Sequence, residues 1–268
     1  MSETETGTPA IGRALRHLID GIDQDFSRPA SDVPYAVRTR LEAALESPDL
    51  YLDCAQLFLS QLVAEPDARV LFVDPGSRYR LQVFCWPPEF GNQPHLHENW
   101  NVTGVLVSSL LVFRSTISEV DCLASKPLLA TSGQAGVLIP PQYHCLRNVG
   151  DQTAITFHVL SRDEPGDEDV HVERAPTSAA RLDDSDILAI ATVAVMRCGA
   201  RSIDVVRTAF SAAGNFTKLE LLKLMAKLDP LEAIRMGRAL SQLVGGQDGL
   251  RLLQVIENLN IASRRGEL

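Results

Sequence analysis

The chain has 268 residues, 45% of them hydrophobic and 22% charged, and a formal net charge of −9. Size and composition fit a globular protein of one large domain or two ordinary ones. The acidic balance argues against general affinity for nucleic acid or anionic membrane, and no apolar run approaches the roughly 20 residues of a membrane span.

In chain order, the opening MSETETGTPAIG is polar and acidic, with neither the basic nor the apolar region of a signal peptide. Ala10–Phe26 carries Ile11, Leu15, Leu18, Ile19 and Ile22 at helical spacing. Pro34–Val63 repeats that pattern with a break near Ser47-Pro48-Asp49. Residues 1–67 therefore predict two or three helices, packed on a strand-rich region. From 68 to 165 the texture changes. Short runs rich in Val, Leu, Ile and Phe (RVLFV, YRLQVFCW, VTGVLVSSLLVFRSTISEV, GVLIP, TAITFHVLS) alternate with turn clusters (DPGSR, PPEFGNQP, TSGQAG, NVGDQ). Many short, closely spaced strands predict an antiparallel sandwich or barrel. Residues 166–179 sit in an acidic, Pro-containing, apolar-poor stretch and read as a linker. Residues 180–268 predict a helical bundle: Ser185–Cys198, Ser202–Ala213, Thr217–Leu228, Pro230–Val244 and Gly249–Ala262, with Gly245-Gly246 as a stop. The fold class expected is α+β.

The five cysteines are odd in number and without CxxC spacing, which argues against a disulfide framework and suits a cytoplasmic location. Cys85 and Cys145 read as core filler.

The chemistry concentrates in two blocks of the strand-rich region. His95 and His97 are two apart and would share one face of a strand. About 40 residues later comes Gly136-x₃-Pro140-x₃-His144-x₃-Asn148. A third imidazole from a neighbouring strand, His144, would close a facial set of three nitrogens and leave the opposite positions of a metal ion open.

These two blocks resemble the signature motifs of the cupin superfamily, whose fold is a double-stranded β-helix, or jelly-roll barrel, with metal bound inside. Within it the sequence resembles the thiol dioxygenases that act on cysteine or 3-mercaptopropionate. PHLHENWNVTGVL is similar to H-x-H-x-x-W-G-x-x-G-x-L, with His95, His97, Trp100, Gly104 and Leu106 on matching positions and Asn101 in place of a glycine. YHCLRNVGDQTAITFHV is similar to the second block, with His144, Asn148 and His158 matching and Thr156 in place of a serine. The resemblance covers roughly residues 65–162. It implies Fe(II) as cofactor, held by His95, His97 and His144. It also implies Arg69 as carboxylate anchor, Trp100 as pocket wall, and Thr156 with His158 as polar groups at the catalytic site. The partners implied are a small thiol or amino-acid substrate and O₂. Many cupins add a glutamate ligand four residues after the second histidine; here that position is Asn101, and Glu98 would face away. The family tyrosine two residues beyond His158 is replaced by Leu160, with Tyr143 and Tyr79 as other phenols nearby.

Three readings stay open at this point: an Fe(II) oxygenase of a small carboxylate-bearing thiol, a three-histidine oxygenase of another amino-acid or aromatic substrate, and a non-catalytic metabolite-binding cupin. The helical tail is a candidate for homodimer contacts.

Overall fold

A computed structural model describes residues 11–64, 70–162 and 184–265. The chain divides into two compact units, Met1–Leu182 and Asp183–Leu268. The linker expected at 166–179 lies outside the described residues, as does Arg69. Among the described residues no helix is long and apolar enough to cross a membrane.

The first unit opens with helices α1 (Arg13–Asp25), α2 (Val33–Leu45) and α3 (Pro48–Ala64). Helix α1 buries Leu15, Leu18, Ile19 and Ile22, and α2 buries Val33, Val37, Leu41 and Leu45, four residues apart along one stripe. The Asp53 carboxylate on α3 accepts from Ala14 N–H (2.7 Å) and Leu15 N–H (3.0 Å). It thereby caps α1 from another helix and complements its dipole.

The strands are β1 (Val70–Val73), β2 (Tyr79–Trp86), β3 (His95–Leu96), β4 (Asn101–Val107), β5 (Ser109–Ser115), β6 (Leu128–Thr131), β7 (Ala135–Leu138), β8 (Tyr143–Arg147) and β9 (Ala154–Ser161), with a short helix α4 (Glu119–Ala124) before β6. One sheet, A, has the order β1-β2-β9-β4-β7; the other, B, has β3-β8-β5-β6. All pairings are antiparallel. From β2 onward the chain mostly changes sheet at each step, so sequence neighbours face each other across the barrel.

Sheet A is buried on both faces because its outer face carries the N-terminal helices. Helix α2 lies against β4 and β7. Gly104 makes this approach possible: a Cβ there would stand 2.7 Å from Leu45 Cδ1 and 3.0 Å from Leu41 Cδ2. Each fully buried leucine or valine of this layer contributes about 1.5–3 kcal/mol. Facing inward at one end, Phe84, Trp86, Leu110, Leu146 and Ala154 form an apolar plug.

The turn between β1 and β2 is tied to α1 by charge. Arg78 donates to buried Asp74 through Nε (2.9 Å) and Nη2 (3.0 Å), and to Asp23 through Nη2 (2.6 Å). The Arg78 hydrogen bond holds the Asp74 carboxyl below its usual value, against the opposing pull of burial. A lowered folded-state value contributes stability above the unfolded value of 3.8 and loses it as pH falls through the folded one. Thermal melts between pH 7 and pH 2 should therefore show a decline below about pH 4 that is shallower in Asp74→Asn, whose midpoint is already lower at pH 7. A slope identical to wild type would rule out this pair.

The second unit contains α5 (Asp184–Cys198), a 3₁₀ turn (Gly199–Ser202), α6 (Ile203–Ala212), α7 (Asn215–Leu228), α8 (Pro230–Val244) and α9 (Gly246–Arg264). Its core includes Leu222, Ile234, Leu240 and Ile256. Asp229 caps α8 by accepting from Glu232 N–H (3.0 Å), and Gly245, at φ 63°, ends it. Two start sites differ from expectation. Helix α9 begins at Gly246 rather than Gly249. Helix α7 begins at Asn215 rather than Thr217 and has no side-chain cap of its own; instead Asp184 accepts from Gly214 N–H at 3.0 and 3.1 Å.

Candidate metal centre

The turn after β2 delivers the histidines. Asn92 is clamped to β8: its N–H donates to Leu146 O (3.1 Å) and its Oδ1 accepts from Leu146 N–H (2.7 Å). Gly91 bridges to Arg147, and a Cβ there would stand 2.8 Å from Leu146 O, so the backbones meet only because the residue is glycine. This splint sets the register His95↔His144 between β3 and β8. Strand β3 is only two residues long, so His97 lies just beyond it. Its ring still converges on the others, with centroids 5.1 Å from His95 and 4.8 Å from His144. His95 and His144 are 4.3 Å apart, centroid to centroid.

One nitrogen from each of His95, His97 and His144 lies within 4.8 Å of the other two. A shared ion with bonds of about 2.1 Å would draw them closer. His95 Nδ1 is 2.9 Å from Gln93 O and so carries its proton, leaving Nε2 for a metal; this tautomer is assigned from the contact. Among the described residues no acid belongs to the cluster. Glu98 is exposed, and the Asn101 side-chain nitrogen stands 3.5 Å from His97 Nε2. The donor set is three neutral imidazoles, which suits iron, copper, zinc or nickel rather than magnesium or calcium.

A polar ladder backs this cluster on the inner face of sheet A. Trp86 Nε1–H donates to Thr156 Oγ1 (2.8 Å); Thr156 Oγ1 lies 2.8 Å from His158 Nε2; His158 Nδ1 lies 3.1 Å from Thr103 Oγ1; and Thr103 donates to Asn101 Oδ1 (3.3 Å). Indole can only donate, and Thr103 spends its proton on Asn101. The consistent sense is therefore Thr156 O–H to His158 Nε2 and His158 Nδ1–H to Thr103. His158 is then neutral and engaged at both nitrogens, with Phe84 edge-on at 4.7 Å.

The structure brings His95, His97, His144, Thr156 and His158 to the barrel interior. Trp100 goes elsewhere: its ring packs against Phe26 at 6.0 Å, and it does not line the cavity beside the histidines. The physical reason is alternation, since Asn101 points inward and its predecessor must point out. Tyr79 also faces α1, stacked on Phe26 at 5.4 Å. Leu160 sits in the inward row Arg80–Leu160–Asn101, so no phenol occupies the position of the family tyrosine. Cys145 faces outward against Cys122, and burial, with Cys122 beside it, pushes its thiol up to about 12. Asn148 is structural: it bonds Trp86 O, Gln152 O and Gly150 N–H.

The cavity has a volume of about 330 Å³ and opens beside His144, between the two sheets. Sequence reasoning set Asn101 at the position of a ligand in other cupins but passed over Thr103 as an interior polar group and Arg114 as a lining residue. Period-two spacing was the available signal: Leu110, Val112 and Arg114 alternate along β5, as Asn101, Thr103 and Val105 do along β4.

No family model matches the chain, and no curated protein matches it. Similar solved structures include the Schizosaccharomyces pombe Cnp3 cupin domain (10% identity, TM-score 0.30, 35% of this chain and 62% of that one). Another is a Klebsiella pneumoniae protein with a double-stranded β-helix domain (17%, 0.29, 35% and 75%). A third is a Silicibacter pomeroyi sugar phosphate isomerase from a cupin superfamily (14%, 0.27, 32% and 52%). The chain thus matches less than two thirds of the first of these. Its own strand order decides the fold: two facing antiparallel sheets, β2-β9-β4-β7 over β3-β8-β5-β6, form a jelly roll. The barrel is a cupin-type double-stranded β-helix. The barrel carries its histidine cluster between the sheets, His95 and His144 on sheet B and His97 on the crossing to β4.

Proposed function

We propose that this protein is a mononuclear Fe(II) cupin oxygenase that oxidises the sulfur of a small thiol bearing a carboxylate. The observation that carries the reading is the acid-free ligand set, with Asn101 in the place where a carboxylate would neutralise the ion. Three imidazoles leave a divalent ion with its full charge, which favours an anionic substrate and its thiolate form. A bound Fe(II) would supply the redox chemistry with O₂. The chain's own residues bind and orient. His95, His97 and His144 hold the ion on one side. Thr156 and His158 hold Thr103 and Asn101 in place beside His97. The plug of Phe84, Trp86 and Leu146 keeps water from that end of the barrel. Holding both reactants at one place replaces a bimolecular encounter by a positioned one.

The balance is one O₂ per thiol, both oxygen atoms entering the sulfinate product. The test is metal analysis of anaerobically purified protein, then an oxygen-electrode screen with cysteine, cysteamine, 3-mercaptopropionate and unrelated amino acids. Iron-dependent O₂ uptake with the carboxylate thiols alone is the expected result. The cavity's size and apolar wall favour a second reading, an oxygenase of a larger amino-acid or aromatic substrate, which uptake with such a compound instead would establish. Iron-loaded protein that consumes no O₂ with any of them leaves a metabolite-binding cupin.

A further inference from the structure

Sheet B carries a row that runs beyond the metal ligands. His95 pairs with His144, and His144 pairs with Arg114 on β5, all at one level of the sheet. Directly opposed residues in such a row stand about 5 Å apart and share a face. Arg114 therefore begins beside a metal ligand, and it lines the same cavity while remaining exposed at its mouth.

Three other arginines of this unit, Arg38, Arg40 and Arg78, are engaged. Arg38 donates to Ala135 O (2.9 Å) and Glu42 (3.0 Å), Arg40 to Asp25, and Arg78 to Asp74 and Asp23. Among the described residues the Arg114 guanidinium has no hydrogen-bond or ion-pair partner; only its backbone N–H is engaged, with Ser125 Oγ at 3.3 Å. The charged side chains lining the cavity are Arg38, Arg114 and Glu42, so +2 and −1 leave a net +1 in a protein whose total is −9. The lining shared by Arg114 and His144 includes an apolar wall of Leu110, Val112, Val137, Leu138 and Leu146.

We propose that Arg114 clamps the anionic end of a substrate whose apolar body lies along that wall and whose opposite end reaches the histidine cluster. The substrate class is thus an ω-thiol acid longer than cysteine, an amphipathic anion rather than a compact chelator. This rests on the oxygenase reading for the thiol end only; the anion clamp stands without it. A guanidinium suits a carboxylate through two parallel charge-assisted bonds, and its exposure keeps the effect moderate.

Full-length protein loaded with Co(II), which reports thiolate ligation by its visible spectrum without turnover, is titrated with 6-mercaptohexanoate, 6-mercaptohexanol and 3-mercaptopropionate. The long acid should bind about tenfold tighter than the alcohol. It should also bind tighter than the short acid, and added salt should narrow the gap from the alcohol. Arg114→Gln should erase the preference for acid over alcohol with an unchanged melting midpoint, and Arg114→Lys should keep part of it. Equal affinities for acid and alcohol in the wild type, or a preference that survives in Arg114→Gln, would overturn the proposal. Hexanoate titrated into metal-free protein separates the two readings. Binding that needs Arg114 in protein that takes up no metal keeps the clamp and discards the oxygenase. Metal and thiol binding that are indifferent to residue 114 do the reverse.

Discussion

His144→Ala should yield a folded protein that no longer retains metal. His144 is the central member of its row, 6% exposed, and the one ligand drawn from the second sequence block. Without it two imidazoles remain, both from the β3 segment. Losing an outer partner of a ligand already weakens a metal site roughly 10–100-fold, and losing the ligand itself weakens it further. After dialysis, elemental analysis should find near-stoichiometric metal in the wild type and a trace in the variant. O₂ uptake should vanish with it. The metal-free variant should melt within a few degrees of metal-free wild type, since a substitution of this size costs about 1 kcal/mol. Stoichiometric metal in dialysed His144→Ala would remove the centre from the protein.

Asn148→Ala should have the opposite signature. Asn148 is fully buried and contacts no metal ligand. Its side chain ties the end of β2 to the turn before β9 by donating to Trp86 O (2.7 Å) and Gln152 O (2.8 Å) and accepting from Gly150 N–H (2.9 Å). Truncation strands three backbone groups, each costing about 1–3 kcal/mol when buried and unpaired. Partial access to water at the turn puts the sum near about 3 kcal/mol. The expected loss is a melting midpoint lower by about 6–12 °C, with metal per folded molecule unchanged. An unchanged midpoint, or metal loss without destabilisation, would show that Asn148 serves the site rather than the frame.

The helical layer was readable because its stripe repeats every three to four residues, as Val33, Val37, Leu41 and Leu45 do. The barrel was readable because turn clusters cut the apolar runs. The reading failed where local chemistry overrides periodicity. Glu119–Ala124 continues an apolar run in the sequence, yet folds as a helix because Ser118 accepts from Asp121 N–H and caps it. Strand β3 stops at Leu96, since the Asn92 splint, not strand propensity, holds it in place. At the site, spacing put His95 and His97 on one face and offered His144 from a neighbouring strand, and these three converge; Thr156 and His158 came only from the resemblance to the second family block. Trp100 was misplaced because its neighbour Asn101, not the tryptophan, faces inward. Arg69, expected as an anchor, lies outside the described residues. Alternation along β5 could have placed Arg114 on the inner face, but its place beside His144 comes from the β5–β8 register, which no local pattern encodes.

Support is uneven around the barrel. Helix α2 backs β4 and β7 of sheet A and the short helix α4 backs β5 and β8 of sheet B, whereas β6 is an edge strand whose Leu128 and Leu129 are 51% and 58% exposed. Compliance therefore belongs to that edge. Amide protons of β2 and β9 should exchange with solvent only when the whole unit opens, while those of β6 exchange through local breathing. A guest too bulky for the resting cavity would press first on β6, the edge strand with its leucines bare, rather than on the wall that carries Trp86, Thr156 and His158.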